Sequence, residues 1–341
     1  MRPATDVDTI ESVETTADEA IVADLEATAA RIADVRAEIS KVIFGQTTVI
    51  DLALTTLLAG GHALLVGVPG LAKTRLAETL GVVLGLDEKR VQFTPDLMPS
   101  DILGSEVLEQ GETGQRAFRF IKGPVFSQLL MADEINRASP RTQSALLQSM
   151  QEKQVSIAGT RHDLPKPFHV LATQNPLEQE GTYPLPEAQL DRFLMEIDVD
   201  YPDEAAEREM LISTTGAVED RARPVLTAEQ LMRAQMLVRQ IPAGTQIVDA
   251  ILAIVRAARP TEEASAEVMR NVAWGPGPRA SQALLLGARA RALLDGRLSP
   301  SVDDVIALAP PILRHRMALT FSARADGLTI DDVIGDLMRA V

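Results

Sequence analysis

Ile32, Val35, Ile39 and Val42 recur at intervals of three and four, the spacing of one face of a helix, so Arg31 to Ile43 is predicted as an amphipathic helix ending at Phe44-Gly45-Gln46. A second helix is predicted from Thr48 to Leu58. The pattern then changes. Short apolar runs at His62 to Val66, Val91 to Thr94, Leu129 to Asp133, His169 to Thr173 and Met195 to Val199 alternate with helical segments as far as residue 200. Runs this short and this continuously apolar are strands buried on both faces, and their alternation with helices predicts an α/β fold, a parallel sheet covered by helices on both sides. Two insertions break the rhythm. Glu106 to Glu109 and Arg116 to Phe120 flank Gly111-Glu112-Thr113-Gly114, and Gln154 to Ile157 leads through Gly159 toward Pro165; both read as β-hairpins. After Tyr201-Pro202 the periodicity is almost wholly helical, with helix-start signals at Thr227, Ser301 and Thr329. The expected division is therefore an acidic tail over 1–28, an α/β core over 29–201 and a helical domain over 202–341.

A length of 341 residues accommodates two domains with full cores. No run approaches ~18 consecutive apolar residues, and the acidic N-terminus lacks the basic-then-apolar order of a signal peptide. A cytoplasmic protein with no integral membrane association is expected. The absence of cysteine excludes disulfides and thiolate metal sites, and the four histidines show no metal-ligand spacing. The net charge of -15 is unevenly spread: residues 1–26 hold eight acids against one base. With Ala and Thr between those acids and few large apolar groups, this segment is expected to be disordered or at most transiently helical. The body remains acidic, which disfavours sequence-independent nucleic-acid binding, since clustered Lys and Arg supply most of that affinity.

The candidate chemistry lies at the strand ends, where α/β sheets bind ligands. Gly67-Val68-Pro69-Gly70-Leu71-Ala72-Lys73-Thr74 links the first strand to a helix that opens with Arg75. Such a loop wraps backbone N–H groups around a polyphosphate, with Lys73 on the outer phosphates and the Thr74 hydroxyl on magnesium. Ala72 departs from the general pattern, which places Gly before the lysine. Leu129 to Asp133 ends in Asp133-Glu134, one carboxylate suited to a magnesium shell and the next to the attacking water, although the pair would also serve as a helix cap. Asn175 follows the next strand, where its amide can hold a water and a terminal phosphate, or simply make a turn before Pro176.

Together these segments resemble the MoxR group of AAA+ ATPases, in particular through Val91-Gln92-Phe93-Thr94-Pro95-Asp96-Leu97, Asp133-Glu134-Ile135-Asn136-Arg137-Ala138, Ala172 to Pro176 and Leu190-Asp191-Arg192-Phe193. The resemblance spans about residues 40 to 320. It implies a core sheet in order 5-1-4-3-2, a C-terminal helical lid, the two hairpins read above, and ATP with Mg2+ as substrate and cofactor. It makes Ala72 ordinary for the group, and it assigns Lys73 and Thr74 to the Walker A motif, Asp133 and Glu134 to Walker B, Asn175 to sensor 1 and Arg192 to the arginine finger. Arg279, in Trp274-Gly275-Pro276-Gly277-Pro278-Arg279-Ala280, is similar to sensor 2, with Gly277 where the group usually carries Ser; action on its own subunit's nucleotide or on a neighbour's stays open. Gly45 and Gln46 match the adenine pocket, though Gly45 also suits a helix-to-helix turn. Arg137, Arg314 and Arg316 are secondary, the last two reading best as solvated bases. A finger serving a neighbour implies a closed ring, with a hexamer expected, acting as a chaperone on a client or von Willebrand factor A domain partner. The alternatives are a magnesium-chelatase-like motor, a nucleic-acid motor and a nucleotide-controlled scaffold.

Overall fold

The computed structural model of the protein describes residues 7–110, 116–177, 181–216 and 221–339. The first helix, α1 (Val7–Ser40), runs through most of the segment expected to be disordered or at most transiently helical, residues 1–6 lying outside the described residues. The physical reason is a longer apolar stripe. Leu25 stands two turns before Ile32, is buried with it, and Asp24 accepts a hydrogen bond from Arg233 at 2.8 Å. The second helix, α2 (Thr47–Leu58), leads into β1 (Ala63–Val66), followed by α3 (Lys73–Val83), β2 (Glu88–Gln92) and α4 (Pro99–Leu103). The first hairpin follows as β3 (Gly104–Gln110) and β4 (Arg116–Lys122), its expected Gly111 to Gly114 turn lying outside the described residues. Next come β5 (Leu129–Asp133), α5 (Pro140–Glu152), the second hairpin β6 (Gln154–Ile157) with β7 (Thr160–Asp163), and β8 (His169–Gln174). The core closes with α6 (Glu187–Leu190) and β9 (Met195–Asp198).

The five core strands form one parallel sheet in order β2-β5-β8-β1-β9, which is the expected 5-1-4-3-2. Its inner strands are buried on both faces, as their continuous apolar text requires. The edge strand β2 begins at Glu88 rather than Val91, because an edge tolerates the solvated Glu88, Lys89 and Arg90 that hid it in the sequence. One apolar cluster joins α1, α2, α3 and one face of the sheet to the helices after β9, and a second lies under α5 and the hairpins.

The helical remainder comprises α7 (Glu204–Thr215), α8 (Ala228–Gln240), α9 (Thr245–Ala257), α10 (Ala266–Asn271), α11 (Pro278–Leu294), α12 (Val302–Leu313), α13 (Phe321–Ala325) and α14 (Ile330–Arg339). A short antiparallel ladder of β10 (Val272–Trp274) and β11 (Ala318–Leu319) ties α10 to the segment after α12. Capping boxes at Thr227 and Ser301 start α8 and α12, and Asp332 N–H bonds Thr329 Oγ1 ahead of α14, so the three start signals are met. Among the described residues no single helix is long and apolar enough to cross a membrane.

Candidate functional site

Register places the chemistry. Val66 pairs with Gln174 and Gln92 with Asp133, so the residues just past the carboxyl ends of β1, β5 and β8 are Gly67, Glu134 and Asn175. Gly67 N–H bonds Gln174 O at 3.2 Å. A Cβ at Gly67 would stand 2.4 Å from Val199 O, so only glycine lets the chain turn here against β9. From Gly67 the turn through Val68, Pro69, Gly70 and Leu71 delivers Ala72, Lys73 and Thr74 to the start of α3, with Arg75 in its first turn. Gly70 has φ +87° and its absent Cβ faces nothing within 4 Å, which leaves the rim of the loop open to a ligand.

Ala72 explains the departure from the general motif. It takes the left-handed conformation, φ 56° and ψ 18°, as the cap residue of α3. Glycine meets that requirement without steric cost; alanine meets it at ~1 to 2 kcal/mol. The Lys73 ammonium donates to the carbonyls of Gly67 and, at 2.9 Å, Val68. Burial pushes its pKa down, while nearby Asp133 and Glu134 pull it back up, so the cation sits close to both carboxylates.

Asp133 and Glu134 are held by one hydroxyl. The Glu134 N–H donates to Thr173 Oγ1 at 2.8 Å, and that hydroxyl donates to Asp133 Oδ1 at 2.6 Å. Glu134 is itself left-handed, φ 54° and ψ 50°, a strained conformation that aims its side chain back toward β2. There Oε2 accepts from Gln92 Nε2 at 2.6 Å and from Arg137 Nη1 at 2.9 Å. Arg90 donates to Asp133 Oδ2 at 2.6 Å and to Gln92 Oε1 at 3.2 Å. The sequence reading missed Arg90 and Gln92 as partners of the carboxylates. Their signal was position: both lie on the strand that pairs with β5. Asn175 is buried and its Oδ1 accepts from Leu177 N–H at 3.1 Å, so the turn before Pro176 is real, and its amide N–H groups are what it can offer a ligand.

The donor set fits magnesium. Thr74 offers a hydroxyl and Asp133 a carboxylate, hard oxygens of the kind that take one or two places on Mg2+ while phosphate and water fill the rest. Asp133 would exchange its Arg90 partner for the ion.

Gly45 and Gln46 line a cavity of about 360 Å³ between core and helical region, with Glu196, Asp198, Tyr201 and Arg314. Gly45 has φ +66°, and a Cβ there would overlap Ala206 Cβ at 2.3 Å; Gln46 Nε2 donates to Asp200 O at 2.8 Å. Burial raises the Glu196 carboxyl to about 7.

Arg192 and Arg279 lie elsewhere. Leu194 N–H bonds His62 O at 2.8 Å, so the 191–194 segment lies at the amino end of the sheet, opposite the phosphate loop. The four residues of β1 between them span ~13 Å. Arg192, Arg279 and Arg316 line one pocket there with Gly61 and His62. Asp191 is the anion shared by two of them. It pairs with Arg279 at 3.6 Å and Arg316 at 2.7 Å, not with Arg192, whose guanidinium has no hydrogen-bonding partner among the described residues. Burial, and then the neighbouring Arg279, push the Arg192 pKa down, and nearby Glu152 offsets part of that. Gly277 caps α11 without a side chain, and Arg279 projects from that helix's first turn.

Arg314 and Arg316 correct the sequence reading. Arg314 pairs with Asp198 and, at 2.9 Å, Asp331, while Arg316 is 2% exposed. Neither is a solvated base, because each has acidic partners that only the folded chain brings near.

Known families and proteins resemble the chain over most of its length. Residues 62–195 match the ATPase family associated with various cellular activities (AAA), and residues 265–337 match an AAA lid domain. Chaperone MoxR1 of Mycobacterium tuberculosis is 43% identical over 305 residues, covering 89% of this chain and 80% of its own. Protein MoxR of Paracoccus denitrificans is 33% identical over 312 residues, covering 85% and 89%. A crystal structure of a candidate ATPase from Cytophaga hutchinsonii superposes with a TM-score of 0.87 at 38% identity, over 96% of this chain and 98% of that one. With a phosphate loop, paired carboxylates and a helical lid in that arrangement, the chain belongs to the MoxR family of AAA+ ATPases.

Proposed function

We propose that the protein hydrolyses ATP at sites shared between neighbouring subunits of a closed ring, a hexamer by family resemblance, and uses the cycle to remodel partner proteins. The observation that carries this reading is the separation of the site into two halves. The phosphate loop, Asp133, Glu134 and Asn175 occupy the carboxyl end of the sheet. Three guanidiniums, Arg192, Arg279 and Arg316, face the other end, with Asp191 paired to the last two and Glu152 near Arg192 as the anions that act on them among the described residues. Surplus cationic charge there calls for an anion that this subunit's own loop is too distant to present. A head-to-tail contact brings the terminal phosphate of one subunit to the arginines of the next, and repetition of that contact closes a ring. This assigns Arg279 to the neighbour's nucleotide alongside Arg192.

In each shared site the loop N–H groups and Lys73 bind the phosphates. Magnesium, held by Thr74 and Asp133, would neutralise phosphate charge. Glu134 takes a proton from the attacking water, Asn175 orients that water, and Arg192 stabilises charge developing on the transferred phosphoryl, a contribution of ~10³ to 10⁵ in rate for such fingers. The remodelling output is supported by the named chaperone relative and by the first hairpin, where Phe118 and Leu108 are cross-strand partners with exposures of 72% and 49%. The von Willebrand factor A class of partner rests on the family resemblance.

Mixing variants tests the shared site. Arg192→Ala subunits should bind ATP but hydrolyse it slowly, and adding Lys73→Ala subunits, which lack nucleotide but keep the finger, should restore part of the turnover. No recovery at any mixing ratio sinks the shared-site reading.

A further inference from the structure

We propose that Arg316 is a positioning residue that fixes the Arg192 finger to the lid, so that lid orientation sets the finger's reach into the neighbouring site. The inference rests on the proposed role of Arg192. Arg316 follows α12 in the helical region, 2% exposed, and its donors converge on the segment that carries the finger. Its Nε donates to Asp191 Oδ1 at 2.7 Å, Nη2 to Phe193 O at 2.6 Å and to Asp191 O at 3.4 Å, and Nη1 to Leu194 O at 3.1 Å. These bonds bracket Arg192 from both sides. A fifth acceptor, Ile312 O at 2.5 Å, ties the same guanidinium to the lid helix behind it. The turn has a second handhold: Arg314, two residues earlier, pairs with Asp198 at the far end of β9, beside the Gly45 and Gln46 pocket. One lid turn thus holds β9 by both ends.

A planar guanidinium is suited to this work. Its five N–H groups point in fixed directions, so saturating several carbonyls and a carboxylate leaves the 191–194 segment little freedom relative to the lid. Asp191 meanwhile neutralises Arg316 and restrains Arg279, leaving Arg192 with no hydrogen bond or ion pair among the described residues, though Glu152 lies near enough to act on its charge. Displacement of a catalytic group by ~1 Å costs on the order of 10²-fold in rate.

The test compares R316M and R316K alone and in an Arg192→Ala background, reading kcat, the Kd for a fluorescent ATP analogue, and rescue by Lys73→Ala subunits. R316M should lower kcat on the order of 10²-fold with Kd unchanged, because the variant's own phosphate loop is intact. R316K, which keeps the charge but not the fork, should fall between R316M and the parent. In the Arg192→Ala background R316M should cost nothing further, and R316M mixed with Lys73→Ala should regain part of its turnover, since the second subunit supplies a finger whose Arg316 clamp is intact. Should R316M not fold, R316K carries all three readouts. Additive losses in the double variant, a Kd that weakens in step with kcat, or no rescue overturns the proposal. Wild-type turnover in Arg192→Ala alone would instead remove the finger reading on which it rests.

Discussion

Gln92→Ala should speed basal ATP hydrolysis. The Glu134 carboxylate is held against β2 by two donors on one oxygen, Gln92 Nε2 at 2.6 Å and Arg137 Nη1 at 2.9 Å. Both must loosen before it can turn toward a water above the phosphate loop. A hydrogen bond to a charged group contributes about 1.5 to 3 kcal/mol when sheltered, and Gln92 lies at the exposed sheet edge, so about 1 kcal/mol is the appropriate figure. Relief of that restraint corresponds to a rate increase of about fivefold. The increase has a ceiling, because Arg137 still holds the same oxygen. Removing Gln92 also deprives Arg90 of its second acceptor, leaving that cation on Asp133 alone. The assay is steady-state phosphate release at saturating ATP and magnesium, with nucleotide Kd measured on the same samples. A kcat at or below that of the parent protein, with Kd unchanged, refutes the restraint and makes Gln92 an aid to the carboxylate instead.

Glu134→Gln should bind ATP with parental affinity and not turn it over, and parental turnover in that variant would remove Glu134 as the catalytic carboxylate. Ala72→Gly should raise the free energy of unfolding by about 0.5 kcal/mol, the ~1 to 2 kcal/mol of left-handed strain less the ~0.5 to 1 kcal/mol of added chain entropy, read from denaturant unfolding; Ala72→Val, a branched residue at positive φ, should lose nucleotide binding, as calorimetry would show. Acid should destabilise the fold through His62 and His169, whose pKa values burial depresses to about 3 and about 4. Their ring nitrogens already face donors, Val170 N–H on His62 and the Gln235 amide on His169, so protonation sets donor against donor. Below pH ~6.5 the unfolded chain takes up protons the folded chain refuses, and stability falls. Glu196, raised to about 7, has the opposite sign and loses stability as pH rises from ~4.5 to 7. The clean measurement is therefore the difference between parent and His169→Gln, which should shift by about 2 kcal/mol between pH 7 and 4.5; a constant difference would refute it.

The parts of the fold that were legible in the sequence share one property: their signal is local. Buried strands read as apolar runs, caps as Ser or Thr three residues before an acid or amide, and the phosphate loop as glycines between strand and helix. Other parts lacked such a signal. The start of β2 is written in charged residues because one side of that strand has no neighbour. The first half of α1 is written in Ala, Thr and acids, with Leu25 as the anchor that reaches the core. Arg90 and Gln92 acquire a role only when β2 pairs with β5, which brings them Asp133 and Glu134, 43 and 42 residues further along the chain. Arg316 reaches further than the β2 pair: its carboxylate partner lies 125 residues away in sequence. Two basic residues near a helix end read locally as solvated groups, and nothing short of the tertiary fold distinguishes them from a buried clamp.

The division of the site between the two ends of the sheet has a mechanical consequence for the proposed cycle. β1 and β9 run side by side, and a short strand is stiff along its length, so neither end of the pair moves freely of the other. Gly67 at one end is pressed against Val199 O, and Leu194 at the other is bonded to His62 O. The lid turn at 314–316 grips the same β9 at Asp198 and at Asp191 to Leu194. A rotation of the lid that follows nucleotide loss at the Gly45 and Gln46 pocket therefore has no path that leaves the finger where it was. Under the proposed ring, the subunit that has emptied its own site is the one whose arginine moves, and hydrolysis in the neighbour is gated by the state of the subunit that donates the finger. Charge-preserving replacement of Arg314 by Lys, which weakens the pocket-side grip and leaves Arg316 intact, should uncouple the two: with turnover normalised to that of the unmixed R314K ring, its dependence on the fraction of nucleotide-free Lys73→Ala neighbours changes slope. A titration of mixed rings with the same slope as the parent would show that the lid carries no signal between the two ends.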